Sequence, residues 1–449
     1  MNDALATFLR VDLVPLFAAL AAALSCALIG NFLVLRRESM LGDAISHSIL
    51  PGIVAAFLVS DSRAGLPMFA GAALAGVVAV FLVELIRRLG RVEAGAAMGV
   101  VFSVMFAGGV LLMERAAARH IDLDADCVLY GQLETLVWPL TDEQLEAPLS
   151  TRALSLLPPE LWMLLLGLAL VCAVIVLCYK ELRAASFDPQ LSTSQGFNAR
   201  LIGHMIAVLV ALVSVASFKA VGSILVVAML VCPAAIARML TDRLHTQILV
   251  SAVAAFATAG SAYAIGAFGA PAIGLPGSVN IAGTMASVAG VLLFVTIIAA
   301  PTHGVVARVR RRQTIAARVA DEDLLAALYR AEELETPVVG VGQLASLLGG
   351  AERTVPALRR AIASGLITRE GDSVVLTSLG RDRGAAMIRS HRLWETYLVE
   401  HAGMRPDHVH DPAERLEHAR SATGEPIDPP ESGPTDPHGH PIPGTKPSG

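Results

Sequence analysis

About the first 300 residues of this chain suit lipid and the remainder suits water, and this change of solvent constrains the fold more than any other feature. The chain has 449 residues, of which 54% are hydrophobic and 16% charged. This composition is too apolar for a soluble protein of this length. The last apolar run is followed directly by a cluster of arginines, Arg308, Arg310, Arg311 and Arg312. Basic residues beside a span mark its cytoplasmic side, so the sequence predicts a membrane domain followed by a cytoplasmic C-terminal region.

A helix needs about 20 apolar residues to cross the hydrocarbon core of a bilayer, and about nine segments of the chain reach that length. They lie near residues 13–35, 44–60, 67–86, 95–113, 160–179, 202–217, 220–240, 247–268 and 281–305. Basic residues follow every second segment, so nine alternating spans with an external N-terminus bring all of them to the cytoplasmic side. The predicted fold class is an all-α polytopic membrane protein that is surrounded by lipid and carries a soluble region at its C-terminus.

The C-terminal region has the pattern of a small soluble domain. From Arg318 to the end it contains 14 Lys and Arg and 20 Asp and Glu, a net charge of −6, so nucleic-acid binding would require a local basic face. Its apolar periodicity predicts three helices and a hairpin turning at Gly371-Asp372, the outline of a winged helix-turn-helix. A further helix follows from about Arg381 to His401, and after Thr423 the chain is rich in Pro and Gly.

Two ionisable residues lie in the second apolar segment. Asp43 and His47 are four residues apart in LGDAISHSILPG, so a helix places them on one face. Ionisable residues inside a membrane segment are costly and usually face a water-filled path or a partner. A carboxylate oxygen and an imidazole nitrogen suit a first-row divalent metal. The pair therefore predicts an ion pathway, and the alternative is a structural hydrogen bond near a helix end.

The loop between the fifth and sixth segments contains SFDPQLSTSQGFN. Asp188 can cap a short helix that begins at Pro189, and Gly196 can end that helix. Such a helix on the inner face suits docking to another protein, and the alternative is an ordinary connecting loop. The chain contains no nucleotide-binding loop, because the sequence GHPIPGTK has Thr-Lys where Lys-Ser/Thr is required. We therefore expect no nucleotide to bind this chain and no enzymatic activity of its own.

Histidines and carboxylates recur at helical spacing in the C-terminal region. His391 and Glu395 are four apart, as are Glu414 and His418, and Glu417 is adjacent. This spacing puts two metal ligands on one helical face. A solvated charged helix is the alternative interpretation from spacing alone.

Residues 10–307 resemble the permease subunit of the bacterial manganese, zinc and iron ABC transporters. The resemblance is carried by LRRESMLGDAISHSILPG, EAGAAMGVVFSVMFAGGVLL, VLYGQL, FDPQLSTSQGFNARL and VGSILVVAMLVCPAAIARML. It implies a bacterial inner-membrane location and import rather than export. It also implies a second permease subunit, identical or different, a cytoplasmic ATPase subunit and an extracytoplasmic metal-binding protein. Asp43 and His47 match the family's metal-pathway residues, and residues 188–196 resemble its ATPase-coupling helix. A permease for a metal chelate is the alternative within this architecture.

Residues 318–444 resemble the diphtheria-toxin-repressor-like family of metal-dependent regulators. The resemblance is carried by DEDLLAALYRAEEL, RTVPALRRAIASGLI, RSHRLWETYL, HVHDPAERLEHA and DPHGHPIPG. It implies two metal sites, one mapping to Asp323, Glu414, Glu417 and His418, and one mapping to His391, Glu395 and His410. The implied domains are the permease 1–307, a basic linker 308–317, a winged helix-turn-helix domain 318–380, a metal-binding and dimerisation domain 381–423, and a Pro/Gly-rich tail 424–449.

The oxygen-rich first site resembles the manganese-selective branch of that family. Asp323 and Glu414 stand where iron-type members have sulfur ligands, and hard oxygen ligands favour manganese or iron(II), with zinc as a weaker candidate. Ala326 departs from the branch, which has a carboxylate there, and leaves Glu322 as a candidate substitute.

Contacts with operator DNA are predicted for the third helix of the C-terminal region. The candidate residues are Arg353, Thr354, Arg359 and Arg360. The alternatives for the region are a sensor that inhibits the adjoining pore, a dimerisation module and a metal buffer, none of which requires DNA.

Overall fold

A computed structural model describes most of the chain, namely residues 3–60, 65–117, 133–141, 145, 150–269, 279–335, 339–371, 373–420, 426–430 and 433–444. It contains two compact units, Met1–Ala307 and Arg308–Gly449. Each unit has its own cluster of buried apolar side chains.

The first unit is helical. Its helices are α1 Asp3–Thr7, α2 Leu13–Leu35, α3 Leu41–Ser48, α4 Leu50–Ser60, α5 Gly65–Gly90, α6 Ala94–Ala117, α7 Thr151–Leu154, α8 Pro159–Leu177, α9 Tyr179–Phe187, α10 Pro189–Ser194, α11 Ala199–Leu240, α12 Leu244–Ala264 and α13 Ile281–Ala299. Short π or 3₁₀ turns cover Phe8–Asp12, Leu133–Thr135 and Ile265–Gly269. Within the described residues, nine segments are long and apolar enough to cross a membrane, which confirms the predicted number.

Two of these nine segments lie in α11, which consists of two helices joined at a kink. Gly222 interrupts the helix with φ +77° and ψ 167°, a conformation that glycine adopts without a side-chain clash. The two helical parts of α11 supply two spans, Ala199–Phe218 and Ala220–Leu240, and the kink lies near the start of the second span.

Small and polar residues hold the membrane helices together. A Cβ atom on Gly52 would lie 2.2 Å from the carbonyl oxygen of Gly71, so the backbones of α4 and α5 approach too closely for a larger residue. Between α2 and α12, the Asn31 amide donates to Ser251 Oγ at 2.6 Å, and Gln247 donates to Asn31 Oδ1 at 3.1 Å. Helices in lipid associate through such close packing and hydrogen bonding.

The second unit follows the predicted order of three helices and a hairpin. Its elements are α14 Val305–Glu333, β1 Val339–Gly340, α15 Val341–Leu347, α16 Ala351–Ala363, β2 Ile367–Glu370, β3 Ser373–Leu376, α17 Ser378–Glu400 and α18 His410–Leu416, with a 3₁₀ turn at Pro406–His408. The strands pair antiparallel in the order β1-β3-β2, with Ile367 opposite Leu376. The short strand β1 was not predicted. Residues 308–317, predicted to be a linker, are helical and belong to α14.

The Pro/Gly-rich tail contains only isolated bridges within its described residues, but it packs on α17. Arg392 donates to the carbonyl oxygen of Pro441 at 2.6 Å and pairs with Glu333 on α14 at 2.7 Å. Arg389 donates to the carbonyl oxygen of Pro443 at 2.7 Å. These arginines fix α17, which carries His391 and Glu395, against both α14 and the tail.

Candidate metal sites

The predicted ion-pathway residues lie on the short helix α3. His47 Nε2 is 3.5 Å from Asp43 Oδ1, and the side chains are 28% and 44% exposed. The rings of Phe102 and Phe106 on α6 lie edge-on to the imidazole, with centroids 5.0 and 5.8 Å away. The helix therefore presents one oxygen and one nitrogen together, and α6 supplies an aromatic wall that limits the orientations of the imidazole.

The short helix predicted to begin at Pro189 is confirmed as α10. Asp188 Oδ1 accepts hydrogen bonds from the backbone N–H groups of Gln190 and Leu191 at 3.0 and 2.9 Å. Gly196 follows the helix with φ +88°, the left-handed conformation that ends a helix. Beside α10 is a groove of about 550 Å³, lined by Phe187, Leu191 and other residues of α9 and the start of α12.

His391, Glu395 and His410 come together in the second unit, and we call this group the His391 site. His391 Nε2 is 3.1 Å from Glu395 Oε1 and 3.0 Å from His410 Nδ1, and the Glu395 and His410 atoms are 3.0 Å apart. One ligand atom from each of these three residues lies within 4.8 Å of the other two, close enough for all three to bind a single ion.

Asp323, Glu417 and His418 form a second group, which we call the His418 site. His418 Nε2 lies 3.0 Å from Asp323 Oδ1 and 3.7 Å from Glu417 Oε1. Its other nitrogen, Nδ1, lies 2.7 Å from Glu322 Oε2. Glu322 therefore orients the imidazole from behind, as outer carboxylates commonly do for metal-binding histidines. The sequence suggested that Glu322 could replace the ligand missing at Ala326. Instead, the Glu322 carboxylate lies on the opposite side of the imidazole from Asp323 and Glu417.

The predicted ligand Glu414 lies outside this second group. It lines a cavity of about 920 Å³ together with Asp323 and Glu417, but its side chain is exposed and does not join the cluster of close donor atoms. The structure thus brings together three of the four residues predicted for this site, with the fourth on the wall of the same cavity.

Glu417 connects the two sites. It is 5% exposed, and its Oε2 is hydrogen-bonded to His391 Nδ1 while its Oε1 faces His418 Nε2. A single buried carboxylate is thereby an outer partner of the His391 site and a donor in the His418 site. The sequence could suggest that Glu417 is a ligand, but not that it belongs to both groups.

The charges in both sites stabilise protonated histidines in the metal-free protein. Burial by itself lowers the pKa of His391, but hydrogen bonds to Glu395 and Glu417 raise it to about 9. Burial likewise lowers the pKa of His418, and hydrogen bonds to Asp323 and Glu322 raise it to about 9. Burial raises the pKa of Glu395, but hydrogen bonds with His391 and His410 bring it down to about 2. A metal ion that binds here must displace protons.

The donor sets fit a hard or borderline divalent cation. Each combines imidazole nitrogens with carboxylate oxygens, which suits manganese, iron(II) or zinc, and each is held by buried partners on several elements. Bound at these sites, such an ion would link α14, α17 and the segment around α18 through direct coordination bonds.

The four residues predicted to contact DNA have different surroundings. Arg353, Arg359 and Arg360 are exposed on α16. Arg360 is paired with Asp321 on α14 at 2.8 Å. The prediction for Thr354 was wrong, because its side chain is 1% exposed and donates to the carbonyl oxygen of Gly350 at 2.9 Å.

Several residues of the sites could not be found by sequence reasoning. Phe102 and Phe106 resemble ordinary membrane-helix residues, and no spacing connects them with His47. Arg420, which pairs with Glu322, is 98 positions away from it along the chain. Phe102 and Phe106 lie within EAGAAMGVVFSVMFAGGVLL and Arg420 directly follows HVHDPAERLEHA, but neither family resemblance assigned a role to these three residues.

Two family models match this chain. The model described as the ABC 3 transport family matches residues 13–286, and the model described as iron dependent repressor, metal binding and dimerisation domain matches residues 377–444. Both resemblances inferred from sequence motifs are thereby confirmed.

Related proteins cover most of the chain. The manganese transport system membrane protein MntD of Bacillus subtilis (strain 168) is 40% identical over 284 residues, which are 63% of this chain and 90% of that protein. The zinc transport system membrane protein TroD of Treponema pallidum (strain Nichols) is 36% identical over 369 residues, 81% of this chain and 95% of that protein. A chain in the solved structure of PsaBC from Streptococcus pneumoniae in complex with Fab has a TM-score of 0.53 and 24% identity, covering 67% of this chain and 96% of that one. The similarity between this chain and the solved structure is therefore a similarity of fold alone.

Proposed function

The chain belongs to the ABC 3 transport family, and from this premise we propose that residues 1–307 are the membrane permease subunit of an ATP-driven importer of divalent metal ions. The observation that carries the proposal is the Asp43 and His47 pair, with donor atoms 3.5 Å apart on a helix in the second membrane span. Both relatives described above are named as membrane proteins of metal transport systems.

In this proposal the ion is the transported substrate and passes Asp43 and His47 during alternating access. The carboxylate lowers the cost of a double positive charge at this depth, and the imidazole replaces part of the ion's hydration shell. Two donor groups bind more weakly than a complete ligand cage, so the ion can leave as well as enter. A second copy of the permease, or a different permease subunit, would complete the pathway.

The partners follow from the same architecture. A cytoplasmic ATPase subunit would dock on α10 and its neighbouring groove, where Phe187 and Leu191 expose apolar side chains. The cap that Asp188 forms makes α10 a rigid lever, which suits the transmission of a conformational stroke. An extracytoplasmic metal-binding protein would deliver the ion on the opposite side, and the C-terminal region would lie in the cytoplasm.

The transport role is tested by Asp43→Ala in cells that also express the ATPase and delivery subunits. We expect accumulation of radioactive manganese to be abolished while the complex still assembles, as measured by co-purification of the ATPase. Asp382→Ala is a matched control, since Asp382 is an exposed carboxylate on α17 that belongs neither to the pathway nor to the two metal sites, and we expect normal uptake. Normal accumulation by Asp43→Ala would refute the pathway assignment.

For the C-terminal region we propose a metal-dependent regulator that binds manganese or iron(II) at the His391 and His418 sites and then binds operator DNA. Its support is the two clusters of donor atoms and the exposed arginines on α16. The test is an electrophoretic shift of the DNA upstream of its own gene by the full chain, with and without manganese. Metal-dependent binding is the expected result, and binding that is absent or independent of manganese would refute it.

A second candidate function is inhibition of the adjoining pore by the metal-loaded region without DNA. It is favoured by the pairing of Arg360 with Asp321, which neutralises part of the positive charge on α16. In proteoliposomes with the ATPase, this function predicts that transport slows as cytoplasmic-side manganese rises. Replacing His391 with Ala would remove that dependence and leave the initial rate unchanged.

A further inference from the structure

Arg353, one of the residues predicted to contact DNA, is paired with a candidate metal ligand. Its Nη2 atom lies 3.9 Å from Asp323 Oδ2, while Asp323 Oδ1 faces His418 Nε2 at 3.0 Å. The Arg353 side chain is 53% exposed. One carboxylate of the His418 site is thus shared between the metal-site imidazole and a guanidinium on α16.

The cavity beside this pair has the charges of a cation site. The cavity has a volume of about 920 Å³. Its walls include the carboxylates of Asp323, Glu414 and Glu417 and the guanidiniums of Arg353 and Arg330. An ion pair to Asp323 is formed by Arg353. Arg353 therefore adds a second positive charge beside Asp323, on the carboxylate oxygen that does not face His418.

We propose that Arg353 is an internal competitor for the metal at the His418 site. A divalent ion and a guanidinium cannot both bind Asp323 closely without repelling each other, so metal binding loosens the contact between Asp323 and Arg353. Thermodynamic linkage requires the reverse effect as well. The contact between Arg353 and Asp323 lowers the affinity of the site for the metal by the same factor by which the metal weakens that contact. This inference rests on the proposed metal-binding function of the C-terminal region.

The competition has two consequences. It raises the metal concentration at which the site fills, so it sets the sensitivity of the regulator. It also makes a guanidinium on the outer face of α16 available when metal is present, as binding to a phosphate backbone requires. The neighbouring pair of Arg360 and Asp321 is unaffected, because Asp321 does not belong to either metal site. It is therefore an internal control on the same two helices.

Manganese titration by calorimetry tests the inference on the full chain in detergent, with Asp43→Ala in every protein so that the pathway does not contribute. We expect Arg353→Ala to increase the affinity of one binding step about 3- to 10-fold, the range expected for removing a partly exposed charge near a divalent ion. Arg353→Lys keeps the charge and should change the affinity less. Arg360→Ala should leave it unchanged.

A second measurement follows the guanidinium itself. Modification of arginines by phenylglyoxal, read out by mass spectrometry of the full chain, should become faster at Arg353 when manganese is added and remain constant at Arg360. If Arg353→Ala binds manganese with unaltered or lower affinity, or if Arg353 reacts at the same rate with and without metal, the competition is refuted while metal binding stands. If the parent protein binds no manganese in its C-terminal region, the proposed function fails and the inference fails with it.

Discussion

Replacing Glu417 with Gln should weaken both metal sites at once. The substitution keeps the size of the side chain but removes the charge that faces His391 on one side and His418 on the other. At the His391 site Glu417 is an outer partner, and the loss of such a partner typically lowers metal affinity by about 10- to 100-fold, or about 1.4–2.7 kcal/mol. At the His418 site it is a donor itself, so the loss should be at least as large.

Single-site variants provide the matched comparison. Glu395 contacts His391 and His410 but neither Asp323 nor His418, so Glu395→Gln should weaken one manganese-binding step. Glu322→Gln removes the carboxylate behind His418 and should weaken the other step. Calorimetric titration of the full chain with manganese separates the outcomes.

The reasoning would be refuted in either of two ways. A Glu417→Gln protein that loses one binding step and retains the other at parental affinity would show that the carboxylate does not connect the sites. A Glu395→Gln protein that weakens both steps equally would show that the sites are coupled by some other route. Circular dichroism of each variant, compared with the parent, distinguishes altered ligation from loss of helical structure.

Four further predictions concern the protonated histidines, the cap of α10 and the ring beside His47. Because His391 and His418 have pKa values raised to about 9, manganese affinity should rise as the pH increases from 6.5 to 9. Calorimetry in buffers of different ionisation enthalpy measures the protons released on binding. The absence of proton release at pH 7 would contradict this prediction. The same raised pKa values mean that protonation of the two histidines contributes to the stability of the C-terminal region without metal. This contribution is fully present below pH 6.5 and is lost as the pH rises through 9. Hydrogen exchange, corrected for the intrinsic exchange rates, should detect the loss of stability. Asp188→Ala should destabilise α10 by about 1 kcal/mol and reduce metal-stimulated ATPase activity several-fold. Asn198→Ala removes the equivalent cap of α11 and should leave the ATPase activity unchanged. Equal losses of activity in the two variants would argue against a special role for α10. Phe102→Ala should lower the rate of metal uptake several-fold with normal expression, because His47 loses the ring beside it, and an unchanged rate would show that this ring does not orient the imidazole.

The membrane domain could be predicted from sequence because its signals are local. A span is an average over about 20 residues, so the number of spans tolerates errors of several residues at each boundary. The cap of α10 is equally local, since Asp188 bonds to backbone groups two and three residues ahead. The hairpin and the i, i+4 ligand pairs belong to the same class of short-range pattern.

What could not be predicted depends on contacts between distant parts of the chain. Thr354 is polar and near the start of a helix expected to face DNA, but its hydroxyl is satisfied by the backbone of Gly350 and its side chain is buried. Glu322 was considered as a metal ligand. Its carboxylate instead pairs with Arg420 and with the Nδ1 atom of His418, which faces away from the other ligands. Helical periodicity determines which residues share a face, but it does not determine what packs against that face.

Three consecutive carboxylates on α14 explain how occupation of a metal site can reach α16. Successive residues of a helix point about 100° apart, so Asp321, Glu322 and Asp323 face different neighbours. Asp321 holds Arg360, Glu322 holds His418 from behind, and Asp323 lies between His418 and the guanidinium on α16. A metal ion bound as proposed would need only the third of these carboxylates. Among the described residues, the ion pairs of Arg353 and Arg360 join α16 to α14, and the ion would weaken the first and leave the second. The expected response of α16 is therefore a local change around the start of that helix rather than its release from α14.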